Sequence, residues 1–148
     1  MQKTSPTFFK IISTDYLVQN FFVMIFAGWV IYTIDAAFEG RATFFLAIFA
    51  AILTPLGLLT FFWRYSLIIS TFKNGSEIKG RVTKISVIAK DYIVHYEYNL
   101  NGQKYQYRNR VKKNSYTQSL KQGQQANLLA YEKTPNIAFI KEIYLEYI

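Results

Sequence analysis

Residues 95–108 read HYEYNLNGQKYQYR, two alternating runs on either side of the pair Asn101-Gly102. Asn-Gly in that setting is the strongest short-range signal for a two-residue β-hairpin, because both residues tolerate positive φ. The turn sets the register: Leu100 faces Gln103, Tyr98 faces Tyr105, Tyr96 faces Tyr107 and His95 faces Arg108. Side chains alternate across a strand, so Tyr92, Val94, Tyr96, Tyr98, Tyr105 and Tyr107 fall on one face. His95, Glu97, Lys104, Arg108 and Arg110 fall on the other. The expected result is a tyrosine-lined core beneath a charged outer face. Sheet platforms for single-stranded nucleic acid need aromatics and cations on the same side, so this separation disfavours a stacking platform.

Outward from the hairpin, EIKGRVTKISVI (77–88) reads as a strand with Ile78, Val82 and Ile85 or Val87 as its apolar positions, and Gly80 as a bulge or a point of close packing. Downstream, RVKKNSYTQSLKQGQQ is a polar connection, ANLLAYEKTPNIAFI gives two short strands, and KEIYLEYI is a final strand or short helix. Five or six short strands of this kind predict a small antiparallel barrel or rolled sheet, since closure removes exposed edges.

The residues before this domain have another character. LVQNFFVMIFAGWVIYTI (17–34) and ATFFLAIFAAILTPLGLLTFFW (42–63) are apolar runs, the second without an ionisable residue. At about 1.5 Å per residue each is long enough to cross a bilayer. The predicted organisation is an N-terminal cytoplasmic segment (1–16), a two-helix transmembrane hairpin (17–63), a juxtamembrane linker (64–75) and a cytoplasmic β domain (76–148). The first segment reads as an interfacial amphipathic stretch or a frayed tail. From Arg64 onward there are fourteen Lys or Arg against six Asp or Glu, which accounts for the whole net charge of +8. With Lys3 and Lys10 before the first span and only Arg41 beside Asp35 and Glu39 between the spans, both termini are expected on the cytoplasmic side, as in a bacterial inner membrane.

Trp63, Arg64 and Tyr65 are the candidate interfacial anchors, with the guanidinium directed at phosphate. Ala27, Gly28, Ala47, Ala51 and Gly57 are small residues that permit close helix packing, with Ala50 and Thr54 nearby. Pro55 removes one helical hydrogen bond, and Thr54 and Thr60 are candidates to satisfy the carbonyl it frees. Asp35 is the one ionisable group near a span that an ion path would use, and it reads as a solvated turn residue.

Chemistry is scarce. Without cysteine there is no thiolate nucleophile and no Cys-based metal site, and His95 is the sole histidine. No phosphate-binding loop, dinucleotide fingerprint or nucleophile elbow occurs. Neither a cofactor nor a metal is expected, and an enzyme is the least favoured class.

The order GRVTKI, YIVHYEYNLNGQKYQY, a polar link ending in Gly123, then NLLAYEKTPNIAFI resembles the bacterial family called domain of unknown function 3592. The resemblance covers Ile78 to about Ile140. It implies a membrane-anchored β module and supplies no active-site residue. Leu129-Ala130-Tyr131 stands where the family usually has Val-x-Tyr, and Glu132–Asn136 replaces a more proline-rich turn.

Together these features point to a membrane-anchored, non-catalytic interaction or assembly module. Its expected partners are the lipid bilayer, a membrane protein complex and anionic lipid headgroups. The candidate contact residues are His95, Lys104, Arg108, Arg110, Lys112 and Lys113. The alternatives are nucleic-acid or nucleotide binding by the basic β domain, and an accessory subunit of an oligomeric channel or transporter.

Overall fold

The computed structural model describes residues 5–39 and 44–145. Lys3 and Arg41, two of the charges used to orient the spans, lie outside them. The chain divides into two compact units, Leu17–Tyr65 and a second made of Met1–Tyr16 with Ser66–Ile148.

The first unit is a helical hairpin. Helix α2 spans Tyr16–Glu39 and α3 spans Phe44–Asn74, both long and apolar enough to cross a bilayer. Where they meet, glycine is required by space. A Cβ on Gly28 would lie 2.8 Å from the Ala50 Cα, and one on Gly57 would lie 3.0 Å from Ile25 Cγ1. Phe22 packs on Phe61, and the Trp29 indole donates to Thr54 Oγ1 at 2.8 Å. The buried residue of α3 here is Ala50, whereas Ala51 is exposed and Ala27 and Ala47 are half-buried. Positions 50, 54, 57 and 61 recur at alternating steps of four and three, the spacing of a seam between closely packed helices, which excludes Ala51.

Pro55 sits inside the continuous helix α3. Neither threonine reaches the carbonyl it frees, that of Ala51. Thr54 Oγ1 donates toward Ala50 O at 2.9 Å and Ile25 O at 3.3 Å, and Thr60 Oγ1 donates to Leu56 O at 2.7 Å. Thr54 therefore ties the two helices together instead. The outward surface of the hairpin is apolar, with Val23, Phe26, Val30, Ile52, Leu59 and Phe62 each more than half exposed.

The second unit is a five-stranded antiparallel sheet, β1 (Ser76–Ile88), β2 (Asp91–Leu100), β3 (Gln103–Lys112), β4 (Gln125–Ala130) and β5 (Ala138–Ile140), in the order β3-β2-β1-β4-β5. It is nearly closed and barrel-like, as the strand count predicts. The β2–β3 register is the one the Asn-Gly turn dictates, with Tyr98 opposite Tyr105 and Tyr96 opposite Tyr107. Asn101 and Gly102 both have positive φ, 51° and 80°. Two tyrosine hydroxyls help to roll the sheet. Tyr96 donates to Ala138 O at 2.6 Å and Tyr98 to Pro135 O at 2.8 Å, while Tyr107 meets Phe139 edge-on. Gly80 is a close-packing point, since a Cβ there would overlap the Leu128 side chain. The bulge lies further along β1, between Val82 and Lys84.

The linker expected at 64–75 is helical, because α3 runs on to Asn74 and its last nine residues belong to the β unit. Of the N-terminal segment, residues 5–16 are built into the second unit and form neither a frayed tail nor a separate stretch. Helix α1 (Phe8–Thr14) has Ile11 fully buried, and Asp15 forms a β-bridge with Val111. Asp15 accepts from the Tyr144 hydroxyl at 2.6 Å, and that oxygen accepts from Asn109 Nδ2 at 2.6 Å, so the start of the chain, β3 and the end of the chain share one buried network. The polar connection contains a further helix, α4 (Ser115–Ser119), started by a reciprocal cap between Asn114 and Thr117, and KEIY forms the short helix α5 (Lys141–Tyr144).

Ala89, in the β1–β2 turn, has a φ of 54°, a conformation that costs a side chain with a Cβ. Ala89→Gly is accordingly expected to raise stability by about 1 kcal/mol in chemical denaturation. An unchanged or lower midpoint would contradict this.

Candidate functional site

The outer face of β1–β2–β3 carries the cations read from the sequence, but the structure divides them. Lys104 pairs with Glu97 at 2.8 Å. Arg110 and Lys112 both grip Asp91, at 2.7 and 2.9 Å, and the Arg110 guanidinium lies 3.5 Å from the Tyr16 ring centroid. All three cations thus have partners within their own unit, and Arg110 and Lys112 join β3 to the start of β2. Lys113 is exposed and stands just past the end of β3.

Burial alone would raise the Asp91 carboxyl, but hydrogen bonds and charge from Lys112 and Arg110 outweigh it and hold the group below the usual carboxylate range. A depressed folded value means that its contribution to stability is complete above the unfolded value of 3.8 and is lost as pH falls through the lower folded one. Asp91→Asn is expected to cost about 2 kcal/mol at neutral pH, given charged hydrogen bonds to a carboxylate only 5% exposed, and to flatten the acid limb below that value. Parallel melts of the two proteins from pH 7 to the acid limit measure both effects.

His95 and Arg108 remain together, and the bulge adds a residue that alternation alone does not select. With unbroken pairing, Thr83 would oppose His95 and Lys84 would point inward. The extra residue places Lys84 opposite His95 on β1, while Arg108 is opposite His95 on β3. Lys84, His95 and Arg108 therefore form a row across three strands on one face. The bulge, His95 and Arg108 also line an open cleft of about 370 Å³ with Tyr96, Gln106 and Tyr107. Among the described residues, neither Lys84 nor Arg108 has a carboxylate within ion-pair distance. His95 is held below its usual value, first by burial and then by the charges of Lys84 and Arg108. Its imidazole is neutral at pH 7, and the row carries two unneutralised cations.

The tyrosine face is turned inward. Tyr96 and Tyr98 are 1% and 3% exposed, and burial leads the causes that push the Tyr98 hydroxyl up, followed by Tyr107 and Tyr105. Stacked bases have no access to those two rings. A second cleft, of about 220 Å³, contains Lys79, Arg81 and Lys104, but Glu97 lies among them.

Of the anchor residues, Trp63 is 61% exposed and Tyr65 stacks on Phe61 with an interplanar angle of 7°. Arg64, expected as a headgroup contact, is 2% exposed. The reason is the length of α3: the helix does not end at Trp63, and position 64 continues the buried series 57 and 61. Among the described residues no group of three or more His, Asp or Glu side chains is placed to hold a metal.

Comparison with protein-family models, curated proteins and solved structures finds no match, so the site is characterised by its own geometry.

Proposed function

We propose that the protein is a membrane-anchored, non-catalytic interaction or assembly module, held by its helical hairpin with both termini and the β unit on the cytoplasmic side. The hairpin's apolar outward surface supports insertion, since a soluble hairpin of this kind would expose a large apolar patch to water. Helix α3, at about 46 Å, exceeds the hydrocarbon thickness of about 30 Å, so its last turns extend beyond the apolar layer. Only Gly75 separates it from β1, and Asp15, built into the sheet, directly precedes α2.

The observation that carries the contact surface is the unneutralised row Lys84–His95–Arg108, which suits an acidic segment of a membrane protein complex or anionic lipid headgroups. The test is affinity purification of the full chain from mild detergent, with identification of co-purifying membrane proteins, together with flotation on vesicles containing phosphatidylglycerol. Lys84→Gln with Arg108→Gln is expected to weaken recovery at low salt, whereas neutralising Lys104, already paired with Glu97, has a smaller effect. Equal recovery for both would remove the row from the contact surface.

A further inference from the structure

We propose that the cleft at the β1 bulge is a binding site for a phosphoryl oxyanion, held by Arg108 and the His95 imidazole in its wall, with Lys84 adding positive charge from beside His95 on β1. The inference rests on the preceding reading for the use of this face and adds the chemical class of its ligand. Three observations meet at one place. The register sets Lys84, His95 and Arg108 side by side across three strands, so that two cations without a carboxylate among the described residues stand on β1 and β3 and repel each other across the imidazole on β2. A bound dianion would offset that repulsion. The cleft has a volume of about 370 Å³, within the range of about 300–1,000 Å³ usual for small-molecule sites. Its lining is rich in donors, with the Thr83 hydroxyl, the Gln106 amide, the imidazole and the guanidinium, and it contains no carboxylate.

The contrast with the rest of the face favours phosphate over a general preference for negative charge. Lys104, Arg110 and Lys112 each have a carboxylate of the same domain. Lys84 and Arg108 instead flank a histidine, and guanidinium is suited to bidentate contact with a tetrahedral oxyanion. The bulge, a feature that commonly re-aims a side chain at a functional position, puts Thr83 in the cleft wall and sets Lys84 opposite His95 beside it.

A pH dependence follows from the groups around His95. On β1 it faces Lys84, on β3 Arg108 with Arg110 diagonal to it, and along β2 Glu97, which is occupied by Lys104. Empty, the site keeps the imidazole neutral, and a bound dianion favours its protonated form. Binding therefore tightens as pH falls through the normal histidine range, and the ligand raises the histidine midpoint.

Because His95 is the only histidine, its imidazole resonance reports on this site alone. The experiment is a titration of that resonance in the full chain in detergent micelles with inorganic phosphate, against chloride at matched ionic strength. The expected result is a saturable shift with phosphate only, an upward move of the midpoint, and affinity weakened about tenfold or more in the Lys84→Gln, Arg108→Gln double variant. Arg108→Lys, which keeps the charge but not the fork, is expected to bind more weakly than the parent and more tightly than the double variant. The same resonance in nanodiscs distinguishes the ligand's source. A shift with phosphatidic acid and not with phosphatidylcholine alone identifies a headgroup, and a response confined to added phosphate identifies a soluble phosphorylated compound. Phosphate acting no differently from chloride, with no response to phosphatidic acid, would overturn the proposal, as would a response unchanged in the double variant. Partner recovery that persists despite such a result would leave the interaction module in place with a carboxylate-bearing partner.

Discussion

Tyr144→Ala is expected to unfold the β unit, with a loss of about 5 kcal/mol, comparable to the whole stability of a small domain. Tyr144 is fully buried, and its ring meets both Phe72 and Phe139 at centroid separations of 5.7 and 5.6 Å. Removing the ring leaves a large cavity among those two. Removing the hydroxyl takes a donor from the fully buried Asp15 and an acceptor from Asn109. The two contributions can be separated. Tyr144→Phe keeps the ring, and it is expected to cost about 2 kcal/mol, since it removes two buried hydrogen bonds. Amide exchange of the β2 and β3 strands measures both. Tyr144→Ala should expose these amides together, whereas Tyr144→Phe should speed their exchange only moderately. Strand amides equally protected in the alanine variant would show that the network does not tie the chain's two ends to the sheet.

Gly28→Leu has the second large effect, in the hairpin. The obstruction at Gly28 is the Ala50 Cα, 2.8 Å from where a Cβ would stand, and main chain moves only if the helices separate. We expect a cost of about 3 kcal/mol, at the upper end for overpacking. The Trp29 indole bond to Thr54, one residue further along α2, should lengthen or break with it. The indole N–H resonance follows that event directly. Ala50→Gly in the same chain removes the contact with the Ala50 Cβ at 3.1 Å but leaves the Cα, so it should restore only part of the loss. An indole resonance unaffected by Gly28→Leu would place the helix contact elsewhere.

Much of this arrangement is legible in the sequence because specific residues leave little choice. Asn101-Gly102 fixes a two-residue turn, and the turn fixes ten residue pairs of the β2–β3 ladder. The two apolar runs are long enough to read as helices from composition, and Asn74-Gly75 is a legible stop for the second, although composition alone ends it at Trp63. Ser66–Asn74 mixes Leu67, Ile68, Ile69 and Phe72 with Ser, Thr and Lys, so composition changes well before α3 stops at Asn74. Lys84 escapes a reading by alternation for a physical reason. Strict alternation from Val82 puts Lys84 on the inner face, and only the bulge reverses it. A trace of the bulge is present, because the apolar positions Val82 and Ile85 are three apart where a regular strand requires an even step. The docking of α1 and Asp15 onto the sheet has no local signature. It depends on Tyr144, 129 residues away, and separations of that kind are set by tertiary packing.

The central claim is that the hairpin crosses a membrane and holds the β unit on the cytoplasmic side. The chain has no cysteine, so single-cysteine variants labelled with a membrane-impermeant maleimide test it without background. Gln103→Cys lies at the exposed β2–β3 turn and Ala37→Cys near the end of α2. The expected pattern is that the thiol of the Gln103→Cys variant reacts in inverted vesicles and not in intact spheroplasts, and that the thiol of the Ala37→Cys variant reacts in spheroplasts and not in inverted vesicles. Reversal of the pattern, or recovery of the chain in the soluble fraction, would contradict it.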